Sequence, residues 1–274
     1  MAVDKAGRKT GRKAARVATA VVAAALVGVA ASACGPDGDG DGGAAKSSSA
    51  APESKRPAPE SKRPASEDPA SDAPEAKAPP ASSARLAETP ASVRGGVITV
   101  GDPKAGHTVK IYEDSRCPFC KKFEEGGAQA LVGPVADGKV KVEYVIASFL
   151  DGNLGGSGSV NAANALRASV EAGEFPRFHA AVFANQPAEE SDDAYTPAFL
   201  LNIAGKVDGL RGAAFDKAVT KGTYKKWVGE AMRTFTADGI QGTPTVLVDG
   251  KKPAGDSLYD RAAFAKELKT AGIS

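Results

Sequence analysis

Aromatic residues are missing from a large N-terminal part of the 274-residue chain: all sixteen Phe, Tyr and Trp residues lie at or after Tyr112. Large aromatic side chains supply much of the apolar area that a protein core buries, so a segment without them has little with which to build a core. The sequence therefore predicts that the first 111 residues contribute little to packing and that the folded domain lies towards the C-terminus.

Histidine and cysteine are also scarce, with two and three residues respectively. His107 and His179 lack the spacing of zinc ligands, and the chain has a single closely spaced cysteine pair, so a complete zinc site of these residue types is not indicated. The net charge of +2 combines similar numbers of both signs and gives no reason to expect nucleic acid as a partner.

The closely spaced pair is Cys117-Pro118-Phe119-Cys120, which follows a strand-like run at 109–112 and opens a helix-like run. A thiol at the first turn of a helix faces unpaired backbone N–H groups and the positive end of the helix dipole, and both stabilise the reactive thiolate. Pro118 suits the first helical position, where its missing N–H costs nothing. We interpret Cys117 as a nucleophile and Cys120 as the thiol that resolves its mixed disulfide. Half of a zinc site and a purely structural disulfide remain as alternatives.

The N-terminus has the pattern of an export signal. Residues 1–16 carry six Lys or Arg against a single Asp, and 17–33 is almost wholly apolar. An apolar run of this length also just suffices to span a bilayer as an uncleaved anchor, with the basic flank on the cytoplasmic side. Both alternatives place the rest of the chain outside the cytoplasm.

Cys34 follows small residues at the end of the apolar run, in the sequence ASACG, which resembles the lipobox of bacterial lipoproteins. In that family the cysteine is lipidated and becomes the mature N-terminus, and its members usually have Leu where this chain has Ala31. We therefore expect a signal peptide or membrane anchor over 1–34, lipidation at Cys34 and tethering to the cell membrane on its extracytoplasmic side. An uncleaved anchor and simple cleavage are the alternatives.

From residue 35 to about residue 94 the composition changes to Gly, Asp, Ser, Ala, Lys, Glu and Pro, with ten of the eighteen prolines of the chain. The sequence PESKRPA occurs at 52–58 and again at 59–65, but this repeat has no apolar positions that could stack. We predict a disordered linker over 35–94, which either carries the following domain away from a membrane or is solvated filler.

The remaining part, 95–274, alternates strand and helix patterns. Strands are predicted at 97–100, 107–113 and 140–149, with a helix between the last two. Strand, helix and strand make a right-handed βαβ unit with a parallel strand pair. Phe119, Phe123 and Leu131 recur at helical spacing and are expected to face the core, while the glycines at 126 and 127 should weaken or kink this helix.

After a glycine-rich loop at 151–158 the pattern turns helical, which predicts a helical insertion at about 155–238. Its helices are expected at 159–172, 175–185, 196–207, 211–221 and 224–237. His179 is expected to be partly exposed on the second of them. Strand character returns at 245–248, followed by a hairpin turn and a final helix that starts with a capping box at 257–260 and carries Phe264 and Leu268 inward.

The sequence YEDSRCPFC at 112–120, together with GTPT at 242–245, resembles the DsbA-like thiol:disulfide oxidoreductases. The resemblance covers about 97–272 and implies an α/β thioredoxin fold, βαβ plus ββα, with the helical insertion between its halves. It implies that Pro244 is cis and lies against the cysteine pair, and that Thr243 offers backbone groups to an extended substrate. From the residues alone, a trans-proline that starts a strand is the alternative.

Several other positions bear on the thiol chemistry. Phe119 stands where the best-known members of that family have a histidine, so thiolate stabilisation is expected to come mainly from the helix end. Members often carry a buried acid where this chain has Ile111. Glu113, two residues later, could replace it but is expected to be exposed at the end of its strand. Arg116 is expected either to favour the Cys117 thiolate or to be solvated.

These features predict an exported, membrane-tethered enzyme that exchanges disulfides with secreted or cell-envelope proteins. Cys117 and Cys120 are the expected catalytic residues, Pro118, Phe119 and Arg116 the supporting ones, and Thr243 and Pro244 the substrate-binding ones. The expected partners are extended cysteine-containing polypeptides and a redox partner that recycles the enzyme, and a monomer is expected. No metal or organic cofactor is expected, because the cysteines carry the redox equivalents. The alternatives are a reductase or isomerase, and a non-catalytic peptide-binding lipoprotein with a structural disulfide.

Overall fold

The structure is a computed structural model of the chain, and it describes residues 74–273. This part contains nearly all of the predicted domain and the last part of the predicted linker. The predicted signal or anchor segment at 1–34, with the lipidation site Cys34, lies outside the described residues. Within the described part, no helix is both long enough and apolar enough to cross a membrane.

A five-stranded mixed sheet forms the centre of the domain, in the order β1-β2-β4-β3-β5. Its strands are β1 (Ala91–Arg94), β2 (Val97–Val100), β3 (His107–Asp114), β4 (Val140–Ala147) and β5 (Thr245–Val248). The central strands β3 and β4 pair in parallel, as predicted, and the other pairings are antiparallel. Both central strands bury side chains on their two faces, which explains their nearly continuous apolar pattern.

Helix α1 (Pro118–Glu125) follows β3 and completes the predicted βαβ unit with β4. It ends at Gly126 because the next turn passes close to another backbone segment. A Cβ atom on Gly127 would collide with the carbonyl oxygen of Leu258. A 3-10 turn and the short helix α2 (Val132–Ala136) continue the chain, so the glycines break the helix rather than merely weaken it.

A block of helices lies between β4 and β5, as predicted. It comprises α3 (Leu150–Leu154), α4 (Gly158–Glu171), α5 (Phe175–Ala184), α6 (Pro197–Ala204), α7 (Ala213–Lys221) and α8 (Lys225–Ala237). All but α3 match predicted helices to within a few residues. Helix α3 occupies the first part of the predicted loop, where Asp151 accepts hydrogen bonds from the backbone N–H groups of Ser159 and Val160 and so ties α3 to the start of α4.

The chain after β5 does not form the predicted second strand of a hairpin. Only an isolated bridge between Val248 and Lys251 continues the pairing. Pro253, two residues further on, has no backbone N–H to donate, so it cannot extend a strand ladder. The C-terminal part of the fold therefore consists of one strand and a helix.

The final helix α9 (Arg261–Thr270) starts later than predicted. Its N-cap is Asp260, whose side chain accepts a hydrogen bond from a backbone N–H in the first turn. Ser257, the predicted cap, lies in a preceding 3-10 turn. Phe264 and Leu268 face the core as predicted.

The last part of the predicted linker is folded, which corrects its C-terminal boundary at 94. Residues 74–86, which we call the N-terminal strap, include a 3-10 helix at Ala81–Leu86 and the buried Ala76. Asn185 at the end of α5 exchanges two hydrogen bonds with the backbone of Lys77, at 2.7 and 2.9 Å. The strap has the composition of a linker because its contacts are made largely by small side chains and backbone groups.

Candidate active site

The cysteine pair lies where β3 ends and α1 begins. Cys117 is the N-cap of α1 with an extended backbone, and Pro118 is the first residue of the helix, as predicted. The backbone N–H of Cys117 donates to the carbonyl oxygen of Asp114 at 2.9 Å, which closes a tight turn. Both thiols are free, and their exposed fractions are 5% for Cys117 and 0% for Cys120. Only the first sulfur is therefore within reach of a substrate.

The surroundings of Cys117 stabilise its thiolate. The largest effect is a hydrogen bond from the Cys120 thiol, and the backbone N–H groups of Phe119 and Cys120 contribute further hydrogen bonds. Together they lower the pKa of Cys117 from 9.0 to about 6, although burial acts in the opposite direction. Cys117 is therefore mainly a thiolate at neutral pH. The helix end contributes through its two backbone N–H groups, and the neighbouring thiol is the largest single cause.

Cys120 has the opposite environment. Its side chain packs with Leu150 and Phe183 in a small apolar cluster. Burial raises the pKa of Cys120 well above 9.0, and its hydrogen bond to Cys117, together with the charges of Cys117 and Glu113, raises it further. One thiol of the pair thus loses its proton readily while its neighbour retains it.

The loop before β5 completes the site. The peptide bond between Thr243 and Pro244 is cis, as the resemblance implied. The carbonyl oxygen of Thr243 lies 3.3 Å from Cys117 Sγ, which donates a hydrogen bond to it in the thiol form. Residues 239–245 and Lys252 line an open groove of about 440 Å³ beside this loop. Because β5 pairs with β3, the sheet holds this loop against the cysteine turn.

Phe119 does not face the core, which corrects the predicted apolar stripe of α1. Its side chain is 52% exposed, whereas Phe123 and Leu131 are buried as predicted. The centroid of its ring lies 6.3 Å from the ring centroid of Tyr259, which is another exposed aromatic residue. The pKa of Tyr259 is raised by burial and by the charges of the two cysteines, so this aromatic pair lies close to Cys117.

Arg116 is buried, so the solvated side chain, one of the two predicted alternatives, is wrong. It is 1% exposed, and its guanidinium donates hydrogen bonds to Asp151 at 2.9 Å and to the carbonyl oxygen of Gly155 at 2.7 Å. A further hydrogen bond goes to the carbonyl oxygen of Glu190. Arg116 therefore joins the cysteine turn to the helical insertion, and its two terminal nitrogens donate to groups of this insertion rather than to the Cys117 thiolate.

Replacing Arg116 with glutamine is expected to destabilise the domain and to leave the thiol chemistry unchanged. Removal of one partner from a buried ion pair costs about 3–5 kcal/mol, because the other charge, here Asp151, stays buried without it. Urea denaturation should show this loss in the free energy of unfolding, and the pKa of Cys117 should stay at about 6. Arg85→Gln is the control: it breaks an exposed pair with Asp137 and should cost less than about 1 kcal/mol. A raised Cys117 pKa in R116Q would instead assign Arg116 to the thiolate.

Gln186 is a residue of the site that was not predicted from the sequence. It lies just after α5, is buried, and donates hydrogen bonds from its side-chain amide to the carbonyl oxygens of Ser115 at 2.7 Å and Cys117 at 3.0 Å. Gln186 therefore holds the turn that carries the nucleophile. A single glutamine 69 residues from Cys117 belongs to no motif, so the sequence contained no signal for it.

A cluster of buried ionisable side chains lies next to the cysteine pair, and we call it the Glu-Glu-His cluster: Glu113, Glu124 and His179. The exposed fractions of Glu113 and His179 are 1% and 3%, so both expectations of exposure were wrong. His179 Nε2 lies 2.5 Å from Glu113 Oε1. Burial lowers the pKa of His179, but the two carboxylates outweigh it and raise this pKa to about 9, while burial raises the pKa of Glu124 to about 8.

A dithiol at the start of a helix, beside a cis-proline loop and on a mixed sheet, defines a thioredoxin-type site. A family model described as Thioredoxin matches residues 94–265, which is more than half of the chain. The chain therefore belongs to the thioredoxin family.

Solved structures of bacterial proteins share this fold. MdbA, a thiol-disulfide oxidoreductase from Actinomyces oris, aligns with a TM-score of 0.55 and 24% identity over 70% of this chain and 96% of that chain. BdbD from Bacillus subtilis aligns with a TM-score of 0.54 and 22% identity over 73% of this chain and 98% of that chain. DsbA from Mycobacterium tuberculosis aligns with a TM-score of 0.51 and 27% identity over 63% and 88%. The predicted fold class is confirmed, and no curated protein sequence matches the chain.

Proposed function

We propose that the protein is a thiol:disulfide oxidoreductase that exchanges disulfides with cysteine-containing polypeptides. A substrate thiolate attacks Cys117 in the oxidised pair, a mixed disulfide forms with Cys117, and Cys120 leaves and takes up a proton. The second thiolate of the substrate then attacks the mixed disulfide, which releases an oxidised substrate and the dithiol protein. Two electrons pass to the cysteine pair, and the reverse sequence reduces a substrate disulfide. No metal or organic cofactor is required for these steps.

The observation that carries this proposal is the contrast between the two thiols. The pKa of Cys117 is lowered to about 6, whereas the pKa of the fully buried Cys120 is raised well above 9.0. A disulfide with only a structural role gains nothing from such a contrast. An exchanging pair needs it, because the outer sulfur must attack or leave as a thiolate.

Disulfide donation is the direction that this contrast favours. Stabilisation of the Cys117 thiolate stabilises the dithiol protein relative to the disulfide protein, and a disulfide whose reduced form is stabilised is a stronger oxidant. We therefore infer an oxidase rather than a reductase or isomerase. The reduction potential of the full-length protein, measured by equilibration with glutathione, tests this direction.

The surface around Cys117 suits an extended polypeptide substrate. The groove of residues 239–245 is open, and backbone groups of Thr243 can pair with a substrate segment as an added strand does. The exposed rings of Phe119 and Tyr259 offer apolar contact on the side of α1. Such a surface favours unfolded segments over folded surfaces, because it combines backbone pairing with apolar contact.

We also propose that the protein is exported and tethered to the cell membrane through its N-terminus, and that it acts as a monomer. The support comes from the sequence: a basic region at 1–16, the apolar run at 17–33, and Cys34 in a lipobox-like context. The following segment at 35–73 would then separate the domain from the membrane. Metabolic labelling with a radioactive fatty acid tests Cys34, with Cys34→Ser as the control.

Replacing Cys117 with serine is expected to lower the rate of exchange by on the order of 10³-fold or more, as loss of a nucleophile does in other enzymes. The measurement is the oxidation of a reduced peptide with two cysteines by the oxidised protein, followed by mass spectrometry. Cys34→Ser is the matched control and should retain the full rate. If the unaltered protein binds the peptide without exchanging disulfides, the non-catalytic alternative replaces the proposal.

A further inference from the structure

The Glu-Glu-His cluster brings together groups from three separate elements of the fold. Glu113 lies near the end of β3, Glu124 in α1 and His179 in α5. One ligand-type atom of each residue lies within 4.8 Å of the corresponding atoms of the other two. The exchange mechanism leaves Glu124 and His179 without a role.

The hydrogen bonds of the cluster leave several electron pairs without a donor. His179 Nε2 donates to Glu113 Oε1, and the other ring nitrogen, Nδ1, lies 3.9 Å from Glu124 Oε2, too far for a hydrogen bond. Glu113 Oε2 and Glu124 Oε1 are buried and have no hydrogen-bond partner. Glu113 itself is 1% exposed. Two buried carboxylate oxygens and one imidazole nitrogen of the cluster therefore have no hydrogen-bond partner.

The two carboxylates of the cluster share a single positively charged partner among the described residues, His179. Both carboxylates form ion pairs with His179, and within the described part of the chain no Lys or Arg side chain pairs with either of them. Burying two carboxylates is costly unless positive charge is close to them. One divalent cation would balance both charges and satisfy the unpaired oxygens at the same time.

Space for additional ligands lies beside the cluster. A cavity of about 50 Å³ is lined by Glu124, His179 and Tyr144, and by Ser82 and Ser83 of the N-terminal strap. A cavity of this size can hold water molecules, provided that it offers them polar partners. A metal ion held by three protein groups could thus complete its coordination with water.

We propose that Glu113, Glu124 and His179 bind a divalent first-row transition-metal ion, with Zn²⁺ and Mn²⁺ as the best fits. One imidazole nitrogen with two carboxylates is a donor set that such ions accept, whereas Mg²⁺ and Ca²⁺ prefer oxygen ligands alone. The site is separate from the thiols, since none of its ligands is sulfur.

The test is a titration of the full-length Cys34→Ser protein, in mild detergent, with the Cys117–Cys120 pair oxidised so that no thiol can bind the metal. Isothermal calorimetry with Zn²⁺ and separately with Mn²⁺ should give one saturable site per chain, and Ca²⁺ should give none. X-ray absorption of the Zn²⁺ form should show nitrogen and oxygen ligands without sulfur. Bound metal should also raise the melting temperature.

Two variants with matched controls locate the site. His179→Gln and Glu124→Gln should each lower the metal affinity by at least about 100-fold, since each removes a ligand. The controls are His107→Gln, which alters the only other histidine, and Glu125→Gln, which alters the exposed neighbour of Glu124; both should retain the wild-type affinity. Circular dichroism of the metal-free variants checks that they fold.

Three outcomes would overturn the proposal. The first is the absence of saturable 1:1 binding to the unaltered oxidised protein, which does not depend on how any variant folds. The second is a sulfur ligand in the X-ray absorption spectrum. The third is unchanged affinity in folded His179→Gln, or equal losses in this variant and in His107→Gln.

Discussion

Replacing Cys120 with serine is expected to convert the protein into a covalent trap for its substrates. Cys117 keeps its low pKa in this variant, because the hydroxyl of the new serine can still donate a hydrogen bond to the thiolate. Cys117 can therefore still form a mixed disulfide, but the second sulfur that would release the substrate protein is missing. Incubation with a disulfide-bonded polypeptide should leave most of the variant in adducts, seen on non-reducing gels and removed by dithiothreitol.

The controls for this trap follow from the roles of the two sulfurs. The double variant Cys117→Ser/Cys120→Ser should form no adducts, and Cys117→Ser alone should form none, because Cys120 is fully buried. Cys120→Ala should form adducts more slowly than Cys120→Ser at about pH 6, because it lacks the donor that contributes most to the lowered pKa of Cys117. Adducts that form equally well through Cys120 would contradict the assignment of the two roles.

The reactivity of the dithiol protein is expected to follow the titration of Cys117. Alkylation by iodoacetamide should be nearly independent of pH above about 7 and should fall about tenfold per pH unit below the pKa of about 6, because only the thiolate reacts. An ordinary thiol with a pKa of 9.0 would instead keep gaining reactivity up to pH 9. The absorbance of the thiolate at about 240 nm gives an independent titration, and Cys117→Ser should abolish it in this range.

The same lowered pKa makes the stability of the dithiol protein depend on pH. Between the folded pKa of about 6 and the ordinary value of 9.0, Cys117 binds more protons in the unfolded chain than in the folded protein, so the free energy of unfolding rises with pH. This stabilisation is complete above pH 9 and is lost as the pH falls through 6. The disulfide form lacks it, so the difference in melting temperature between the two forms should shift in favour of the dithiol form from pH 6 to pH 9. No shift across this range would contradict a stabilised thiolate.

The fold was largely predictable because most of its signals are local. Strand and helix periodicity predicted the central parallel pair and most of the helices, since each pattern spans adjacent residues. The failures involve neighbours that are distant in sequence. The sequence of the strap is typical of a linker, and only the hydrogen bonds of its backbone with Asn185 show that it is folded. The second hairpin strand does not form because Pro253 cannot donate a backbone hydrogen bond to a strand paired with it.

The residues of the candidate active site show the same difference between local signals and contacts that are distant in sequence. Cys117, Cys120 and Pro244 were identified because they form short motifs with a chemical reason for their spacing. Arg116, Glu113 and His179 were misjudged, because a charged residue is usually exposed and becomes buried only where the fold supplies its partners. Each of the pairs joins the helical insertion to the segment around the cysteines, and the partners are dozens of residues apart in sequence.

The two hydrogen bonds between Asn185 and Lys77 have a mechanical consequence. The next residue, Gln186, is the one whose amide holds the carbonyl oxygen of Cys117. A pulling force on the strap would therefore act on the hydrogen bonds of Asn185, one residue away from the glutamine that holds Cys117. The position of the strap and the geometry of the reactive sulfur are in this way connected through a single short stretch of backbone.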